Sequence, residues 1–525
     1  MIPVRSVLAV LIGAVVLSFG VYRYRDSTPP STTALPPSTT ATPVRASATT
    51  AAVPTDERAI GRAHQAVVAL KGAADHGLNP AKYPTRRLET ALERAETSPR
   101  TASDRAQVIA NLEAQTKSAI VSFAHDVAAG RRSPTSVELT WKNRRPAINI
   151  AESWDQMANS SVQQWIDGLE PPHPEYRALL DALRKLRQQQ SGGWPNVPMR
   201  VPKPGSSDPA VQQLRERLIA SGDLASLNTA NPAKYDAALT NAVKRFQERH
   251  ALPATGIANE ETLAEMNVPL ANRIRQVEMN LDRWRWTPND LGARHLLINI
   301  PAFQLMAREN GKLVRAIRVV VGKTEHETPI FSSEMDTVVF SPYWNLPESI
   351  AEDETGPAIR SDPGYLARNQ IEVLRRTKTR TTVVKPEDVN WYDPVEIQQL
   401  SFRQRPGAKN ALGQVKFLFP NAFDVYLHDT PADSLFDRSG RAFSHGCVRV
   451  EEPEALAAYV LRDRPDWTAD RISSAMNAGV EKYVKLDEKI PVHIAYFTAW
   501  VADDGSLTFL PDVYGYDARQ ARLTR

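Results

Sequence analysis

The pattern of apolar and polar positions divides the chain into a helical first half and a strand-rich second half. Up to about residue 270, apolar residues recur every three or four positions, as they do across 55–76, which predicts amphipathic helices. From Arg294 onward apolar and polar residues alternate on both sides of Asn310-Gly311, a dipeptide typical of a tight hairpin. Similar runs at 336–347, 415–429 and 492–515 predict further strands.

The N-terminus carries two segments that are not predicted to join a core. Residues 6–22 contain no charge and would span roughly 25 Å as a helix, enough for a thin bilayer. We therefore expect a membrane anchor over 1–25, with a cleaved signal peptide as the alternative. Residues 26–54 are rich in Pro, Ser and Thr, which predicts an extended tether.

The remaining chain is expected to form an α+β multidomain protein. The predicted parts are a helical scaffold (55–206), a small three-helix unit (207–271), a mostly β domain in two parts (272–349 and 413–525) and an inserted capping subdomain (350–412). The sequence of the insertion is charged and predicts mixed secondary structure with many loops. Inserted subdomains often act as lids.

Composition narrows the classes of function. The apolar content of 42% and charged content of 24% are ordinary for folded soluble domains. The formal charge is only +4, from 64 basic and 60 acidic residues, and no dense basic stripe is present. Nucleic acid is therefore not a predicted partner.

The strongest chemical signal surrounds Cys447, the only cysteine in the chain. A lone cysteine is most often an inert buried residue. This one follows Ser-His-Gly, and His428 ends the alternating run upstream, so a nucleophile with a histidine base is favoured. Gly446 permits close backbone approach, and the N–H groups of Gly446 and Cys447 are predicted oxyanion donors.

The neighbouring side chains receive supporting roles. Arg449 shares a strand face with Cys447 and either binds a substrate carboxylate or holds the loop. Ser444 is expected to bond the backbone, and His445 to be a structural hydrogen-bonding residue rather than a second catalyst. His326 looks like a surface turn residue without partners at metal-ligand spacing, so neither a metal nor a cofactor is predicted.

The sequence around these residues resembles a known family. A histidine at 428 followed by SHGCVR at 444–449 resembles the active-site motif of the L,D-transpeptidase family. The stretches NLDRWRW, VVVGK, YWNLP and PGAKNALGQVKFLFPN are similar to its large, YcbB-like members. Residues 207–271 resemble the peptidoglycan-binding domain type 1, although Ala-Thr-Gly at 254–256 replaces the usual Asp-Gly turn.

The resemblance implies roles for individual residues. Cys447 matches the acylated nucleophile, and His428 matches the general base, with its ring held by a backbone carbonyl. Arg449 matches an arginine that supports the site. Tyr426 and Asn345 are weaker candidates for lining the donor groove.

The resemblance also implies a function. It is formation of 3→3 peptidoglycan crosslinks through a Cys447 thioester, with release of D-Ala from a tetrapeptide donor stem and with acylation by carbapenems. The expected partners are peptidoglycan stem peptides and glycan, the cytoplasmic membrane through the anchor, and other cell-wall synthesis proteins. The expected location is the periplasm, anchored to the inner membrane, or secreted if the signal is cleaved.

Other functions remain open at this point. An L,D-carboxypeptidase, or an enzyme that attaches a protein to the wall, would use the same thioester. A non-enzymatic wall-binding scaffold is less favoured, because Cys447 and His428 are both present. A papain-like protease is disfavoured because its cysteine precedes its histidine in the chain.

Overall fold

The helical pattern of the first region becomes a scaffold of packed helices. The helices are α1 Thr55–Lys71, α2 Thr85–Thr97, α3 Ala102–Ala129, α4 Ile150–Gln156, α5 Val162–Asp167 and α6 Pro174–Gln188. Helix α3 begins where Thr101 Oγ1 accepts the Asp104 N–H at 3.1 Å, a bond that satisfies one free amide of the first turn. Helices α1 to α5 bury their apolar faces in one core around Ile120 and Phe123.

The computed structural model describes part of the chain. The described residues are 55–97, 101–137, 141–142, 147–157, 161–200, 202–226, 229–362, 364–377 and 380–523. The predicted anchor over 1–25 and tether over 26–54 lie outside them. No helix of these described ranges is long and apolar enough to span a bilayer.

The next unit is a small helical bundle with its own core. Its helices are α7 Pro209–Ala220, α8 Ala237–Arg249 and α9 Glu260–Met266. Leu214, Phe246 and Leu263 are fully buried at its centre. The predicted three-helix unit is confirmed.

Helix α10, Leu270–Trp286, ties the scaffold to the β-rich domain. Its Asp282 and Arg285 are fully buried and paired at 2.9 Å, and Arg285 also donates to the Val127 carbonyl of α3 at 3.1 Å. On another face, Trp284 stacks on Phe497 with ring centroids 4.5 Å apart. A buried pair with hydrogen bonds on several sides fixes the position of this helix between two domains.

The second half of the chain is built from strands. They are β1 Arg294–Asn299, β2 Gln304–Glu309, β3 Lys312–Gly322, β4 Ser332–Phe340, β5 Trp344–Asn345, β6 Ile371–Arg376, β7 Thr381–Val384, β8 Leu400–Gln404, β9 Val415–Leu418, β10 Leu427–His428, β11 Ala442–Ser444, β12 Val448–Val450, β13 Lys482–Ala495, β14 Ala499–Val501 and β15 Leu507–Phe509. The predicted hairpin is confirmed: β2 pairs with β3, and Asn310 and Gly311 have φ of 48° and 78°, as a two-residue turn requires.

Nine strands of the described residues form the main sheet, in the order β11-β3-β12-β10-β9-β4-β13-β1-β2. Because β2 also pairs with β3, the sheet closes on itself around an apolar core. Strand β13 runs through Pro491, where the sequence pattern had suggested that a strand only begins. The predicted α+β multidomain class is confirmed.

The insertion is not the loop-rich segment that the sequence predicted. It contains a separate sheet in the order β5-β8-β6-β7, with α11 Glu348–Ile350, a π-helical turn Ala351–Thr355, α12 Gly356–Ser361, α13 Tyr365–Arg368 and α14 Pro394–Ile397. Charge concealed its strands, since Glu372 and Arg403 pair across β6 and β8 at 2.6 Å. The sheet begins at Trp344, ahead of the boundary placed at 350.

Further helical elements cover the nine-stranded sheet. The α-helices are α15 Pro453–Val460, α16 Ala469–Met476 and α17 Tyr516–Leu523. The described 3-10 turns of the chain are Gly72–His76, Pro80–Lys82, Thr135–Val137, Ile300–Ala302, Thr324–His326, Pro386–Asp388 and Asp433–Leu435. Helices α15 and α16 contribute Leu456 and Ile472 to the sheet's core.

Candidate active site

Two short parallel strands place the predicted nucleophile and base in the same part of the sheet. Strand β10 pairs with β12, with Leu427 opposite Val448 and His428 opposite Arg449. The amide of Val448 donates to the Tyr426 carbonyl at 3.2 Å. The chain ahead of β10 therefore lies beside Cys447, which directly precedes β12.

Residues 444–447, here called the nucleophile loop, are held by hydrogen bonds on both sides. The buried Ser444 hydroxyl donates to the Cys447 carbonyl at 2.5 Å, and Thr328 Oγ1 donates to the Gly446 carbonyl at 2.8 Å. Gly446 has φ of 114°, a conformation that residues with a Cβ rarely adopt. The Ser-x-Gly-Cys spacing therefore reflects the backbone path as well as the chemistry.

The two predicted oxyanion donors differ in availability. The Gly446 N–H donates to Ser444 Oγ at 3.1 Å, so it is already engaged. The Cys447 N–H has no acceptor among the described residues. An oxyanion at this position would meet one free donor, and recruiting Gly446 would require its bond to Ser444 to lengthen or to be shared.

His428 is arranged as a neutral base. Its Nδ1–H donates to the Asp429 carbonyl at 2.5 Å, which leaves Nε2 as the proton acceptor. Burial, and then the charge of Arg449, lower the pKa of His428 to about 3. The ring is therefore uncharged at neutral pH, as a general base must be before it acts.

The Cys447 thiol contacts Tyr426 rather than His428 in this structure. Its Sγ lies 3.8 Å from the Asp424 carbonyl, and the Tyr426 hydroxyl hydrogen-bonds to the sulfur. Burial raises the pKa of the thiol, while Tyr426 and Arg449 oppose that rise. The Tyr426 ring also packs against His428, at 5.7 Å between centroids, so it touches both groups.

Arg449 stands beside Cys447 without a counterion. No carboxylate of the described residues lies within ion-pair distance of it, and its buried Nε has no hydrogen-bond partner. Burial lowers the pKa of Arg449, and the nearby Cys447 opposes this. A half-buried guanidinium without a counterion is a ready site for a carboxylate from outside the chain.

The other predicted residues lie around this centre. His445 points to the insertion, where its Nε2 lies 3.0 Å from Glu354 Oε1, and its ring lies 5.0 Å from that of His326. Asn345 is exposed on β5 and pairs with Arg403. No contact between Asn345 and Cys447 is seen in the described structure. No group of side chains in the described ranges could hold a metal ion.

Sequence reasoning missed three residues that contact the site. Trp344 lies beside the Tyr426 hydroxyl, Thr328 donates to the Gly446 carbonyl, and Glu354 contacts His445. None of the three lies next to His428 or in the SHGCVR motif. Only Trp344 had a signal, because it stands next to Asn345 in the YWNLP stretch.

Comparison with known families identifies the domain that carries this site. Residues 293–480 match the family model YkuD, described as the L,D-transpeptidase catalytic domain. Residues 55–183 match a scaffold domain, and residues 207–266 match a domain described as "Putative peptidoglycan binding domain". The chain thus carries a YkuD-type L,D-transpeptidase catalytic domain together with a peptidoglycan-binding domain of type 1.

Individual relatives agree with this assignment. A Haemophilus influenzae protein named "Putative L,D-transpeptidase" is 33% identical over 253 residues, which are 48% of this chain and 50% of that protein. The chain thus matches about half the length of this curated relative.

The solved structures that were matched are much less similar. An L,D-transpeptidase from Stackebrandtia nassauensis has 14% identity and a TM-score of 0.22, over 57% of this chain and 96% of its own. L,D-transpeptidase 3 from Mycobacterium tuberculosis, with a faropenem-derived adduct, has 12% identity and a TM-score of 0.19, over 39% and 60%. The assignment of the two domains rests on the sequence matches.

Proposed function

We propose that this protein is an L,D-transpeptidase that forms 3→3 peptidoglycan crosslinks through a thioester on Cys447. The observation that carries the proposal is the grouping of three complementary features at one place. These are the chain's single thiol, a buried histidine held neutral, and an arginine; among the described residues the histidine Nε2 has no hydrogen-bond partner and the arginine has no counterion. They supply a nucleophile, a base and an anion site.

The proposed first step is acylation of Cys447. The sulfur attacks the carbonyl of the third residue of a tetrapeptide stem while His428 Nε2 takes the thiol proton. The bond to the terminal D-Ala breaks, His428 returns the proton to the leaving amine, and a thioester remains. The Cys447 N–H donates to the oxyanion that forms along the way.

The proposed second step transfers the acyl group to an amine. The side-chain amine of diaminopimelate on a second stem attacks the thioester, and His428 accepts its proton. The carbon–sulfur bond breaks, the thiol is regenerated and the crosslink is complete. His428 thus serves as base and acid in turn.

Three side chains have proposed roles in holding the donor. Arg449 binds a carboxylate of the stem, because it lies half-buried beside Cys447 and has no anionic partner in the described chain. Tyr426 lines the donor side and donates its hydroxyl hydrogen to the sulfur. Asn345, exposed on the neighbouring insertion strand, is proposed to contact more distant parts of the stem.

The insertion is proposed to exclude water from the thioester. If water were the acceptor, the product would be that of an L,D-carboxypeptidase, and a protein lysine would give wall attachment instead. Removing the insertion should raise the ratio of hydrolysis to transfer, measured on the same donor. An unchanged ratio would contradict the lid role.

Location and inhibition follow from the same proposal. Peptidoglycan lies outside the cytoplasmic membrane, so the body is proposed to face the periplasm, held by the segment at 1–25 and the tether at 26–54. Cell-wall synthesis proteins are proposed partners. Penems and carbapenems are proposed to acylate Cys447, as the titles of two solved relatives name imipenem and a faropenem-derived adduct.

The test is product analysis by mass spectrometry after incubation with purified tetrapeptide muropeptide. The intact protein should give a dimer lacking one D-Ala, and Cys447→Ala should give none. Tripeptide monomer alone would make the protein a carboxypeptidase. An inactive but folded protein would favour the non-enzymatic scaffold.

A further inference from the structure

The insertion contacts the nucleophile loop through Glu354. This residue lies in the π-helical turn Ala351–Thr355, and its Oε1 is 3.0 Å from Nε2 of His445. His445 lies between Ser444 and Gly446, two residues before the nucleophile. Single π-helical turns are rare and occur frequently at functional sites.

A second contact joins the insertion to the opposite side of the thiol. Trp344, on β5 of the insertion's sheet, lies beside the Tyr426 hydroxyl and lowers the pKa of that group, and the same hydroxyl interacts with Cys447 Sγ. The insertion therefore touches the site at two points, through His445 on one side and Tyr426 on the other. A movement of the insertion would therefore change the surroundings of Cys447.

We propose that Glu354 is a positioning residue: through His445 it holds the insertion closed over the nucleophile loop and favours amine over water as the acceptor. This inference rests on the proposed function for its catalytic consequence. The closure itself is a property of the fold and can be measured without substrate.

The exposure of the contact suits a lid that must open. The side chains of His445 and Glu354 are 32% and 55% exposed, and pairs this exposed contribute little stability. Removing such a pair should shift a closed–open equilibrium by about 1.5- to 5-fold. A shift of this size biases the lid toward closure and still lets it open for the stem peptide.

The type of contact can be distinguished by a conservative variant. Burial lowers the pKa of His445, although the charge of Glu354 opposes this, so at neutral pH the carboxylate lies against an uncharged ring. A glutamine side chain has the same shape and can occupy the same position without the charge. Glu354→Gln should therefore keep the closure that Glu354→Ala loses.

The first measurement is the rate at which iodoacetamide alkylates Cys447 in the full-length protein, followed by intact mass. Because Cys447 is the only cysteine, every added group reports this site. Glu354→Ala, His445→Ala and the double variant should all react about 1.5- to 5-fold faster, with no additive increase in the double variant. Glu352→Ala is the matched control, since Glu352 lies on the same turn, is exposed, and makes no described hydrogen bond or ion pair.

The second measurement is the ratio of hydrolysis to transfer with a tetrapeptide donor. Glu354→Ala should raise it and Glu354→Gln should restore it. If alkylation of Glu354→Ala equals that of Glu352→Ala, the closure is refuted, whatever the protein's activity. If alkylation rises but the product ratio does not, the positioning role is refuted while transpeptidation stands. If no variant has activity, the proposed function fails and the alkylation rates alone decide the closure.

Discussion

Replacing Tyr426 with phenylalanine should make the Cys447 thiol harder to ionise. The backbone N–H and the hydroxyl of Tyr426 both interact with the sulfur and lower the pKa of the thiol. Phenylalanine keeps the backbone N–H and the ring beside His428 but removes the hydroxyl donor. Since burial already raises the pKa of this thiol, losing a donor to the thiolate should raise it further.

The size of the effect follows from the strength of such a bond. A hydrogen bond to a charged group contributes about 1.5–3 kcal/mol, which corresponds to a further rise of about one to two pKa units. A more basic thiolate is also a better nucleophile, with a Brønsted coefficient of about 0.45. At a pH below both pKa values, the alkylation rate should therefore fall by about 3- to 13-fold.

The assay is the pH dependence of Cys447 alkylation, followed by intact mass. Tyr392→Phe is the control, because this tyrosine is 90% exposed on the insertion. The Tyr426→Phe curve should move to higher pH while the control superimposes on the unmodified protein. A Tyr426→Phe curve that also superimposes would show that the hydroxyl does not stabilise the thiolate, which would refute the reasoning.

Three further outcomes are expected. Gly446→Ala should abolish acylation of Cys447 by a β-lactam without unfolding the protein, because the φ of 114° at Gly446 is strained for a residue with a Cβ. A normal acylation rate with an unchanged circular dichroism spectrum would contradict this. Arg449→Met should raise the pKa of His428 from about 3, since the arginine charge helps to lower it; NMR titration of the ring would measure the change, and no change would count against it. The rate of β-lactam acylation should not change between about pH 5 and 8, because the lowered pKa of His428 means that the ring is protonated only below this range. An inflection near the ordinary histidine pKa of 6.5 would show that His428 becomes charged there.

The part of the site that follows from local sequence was accessible to prediction. Alternation identified the strands, and the residues around Cys447 in SHGCVR predicted a nucleophile there, which stays a prediction. The period of two placed Tyr426 and His428 on one face, as their packed rings show. These features depend on residues close together in the chain.

The remaining features depend on contacts between distant segments. Thr328 reaches Gly446 only because β3 and β11 are neighbours in the sheet, and nothing in its local sequence indicates that. The insertion's strands were concealed by paired charges such as Glu372 and Arg403. The hydrogen bond from the Gly446 N–H to Ser444 Oγ likewise depends on the backbone conformation of this loop, which composition does not predict.

The most direct test of the account is to trap the acyl-enzyme. The full-length protein would be mixed with a tetrapeptide donor that lacks an acceptor amine, quenched in acid within seconds, and analysed by intact and peptide mass spectrometry. The account predicts a transient adduct of the donor minus D-Ala on the peptide that contains Cys447, absent from Cys447→Ala and slower to form in His428→Gln. D-Ala release without an adduct on that peptide, or an adduct that persists in Cys447→Ala, would contradict it.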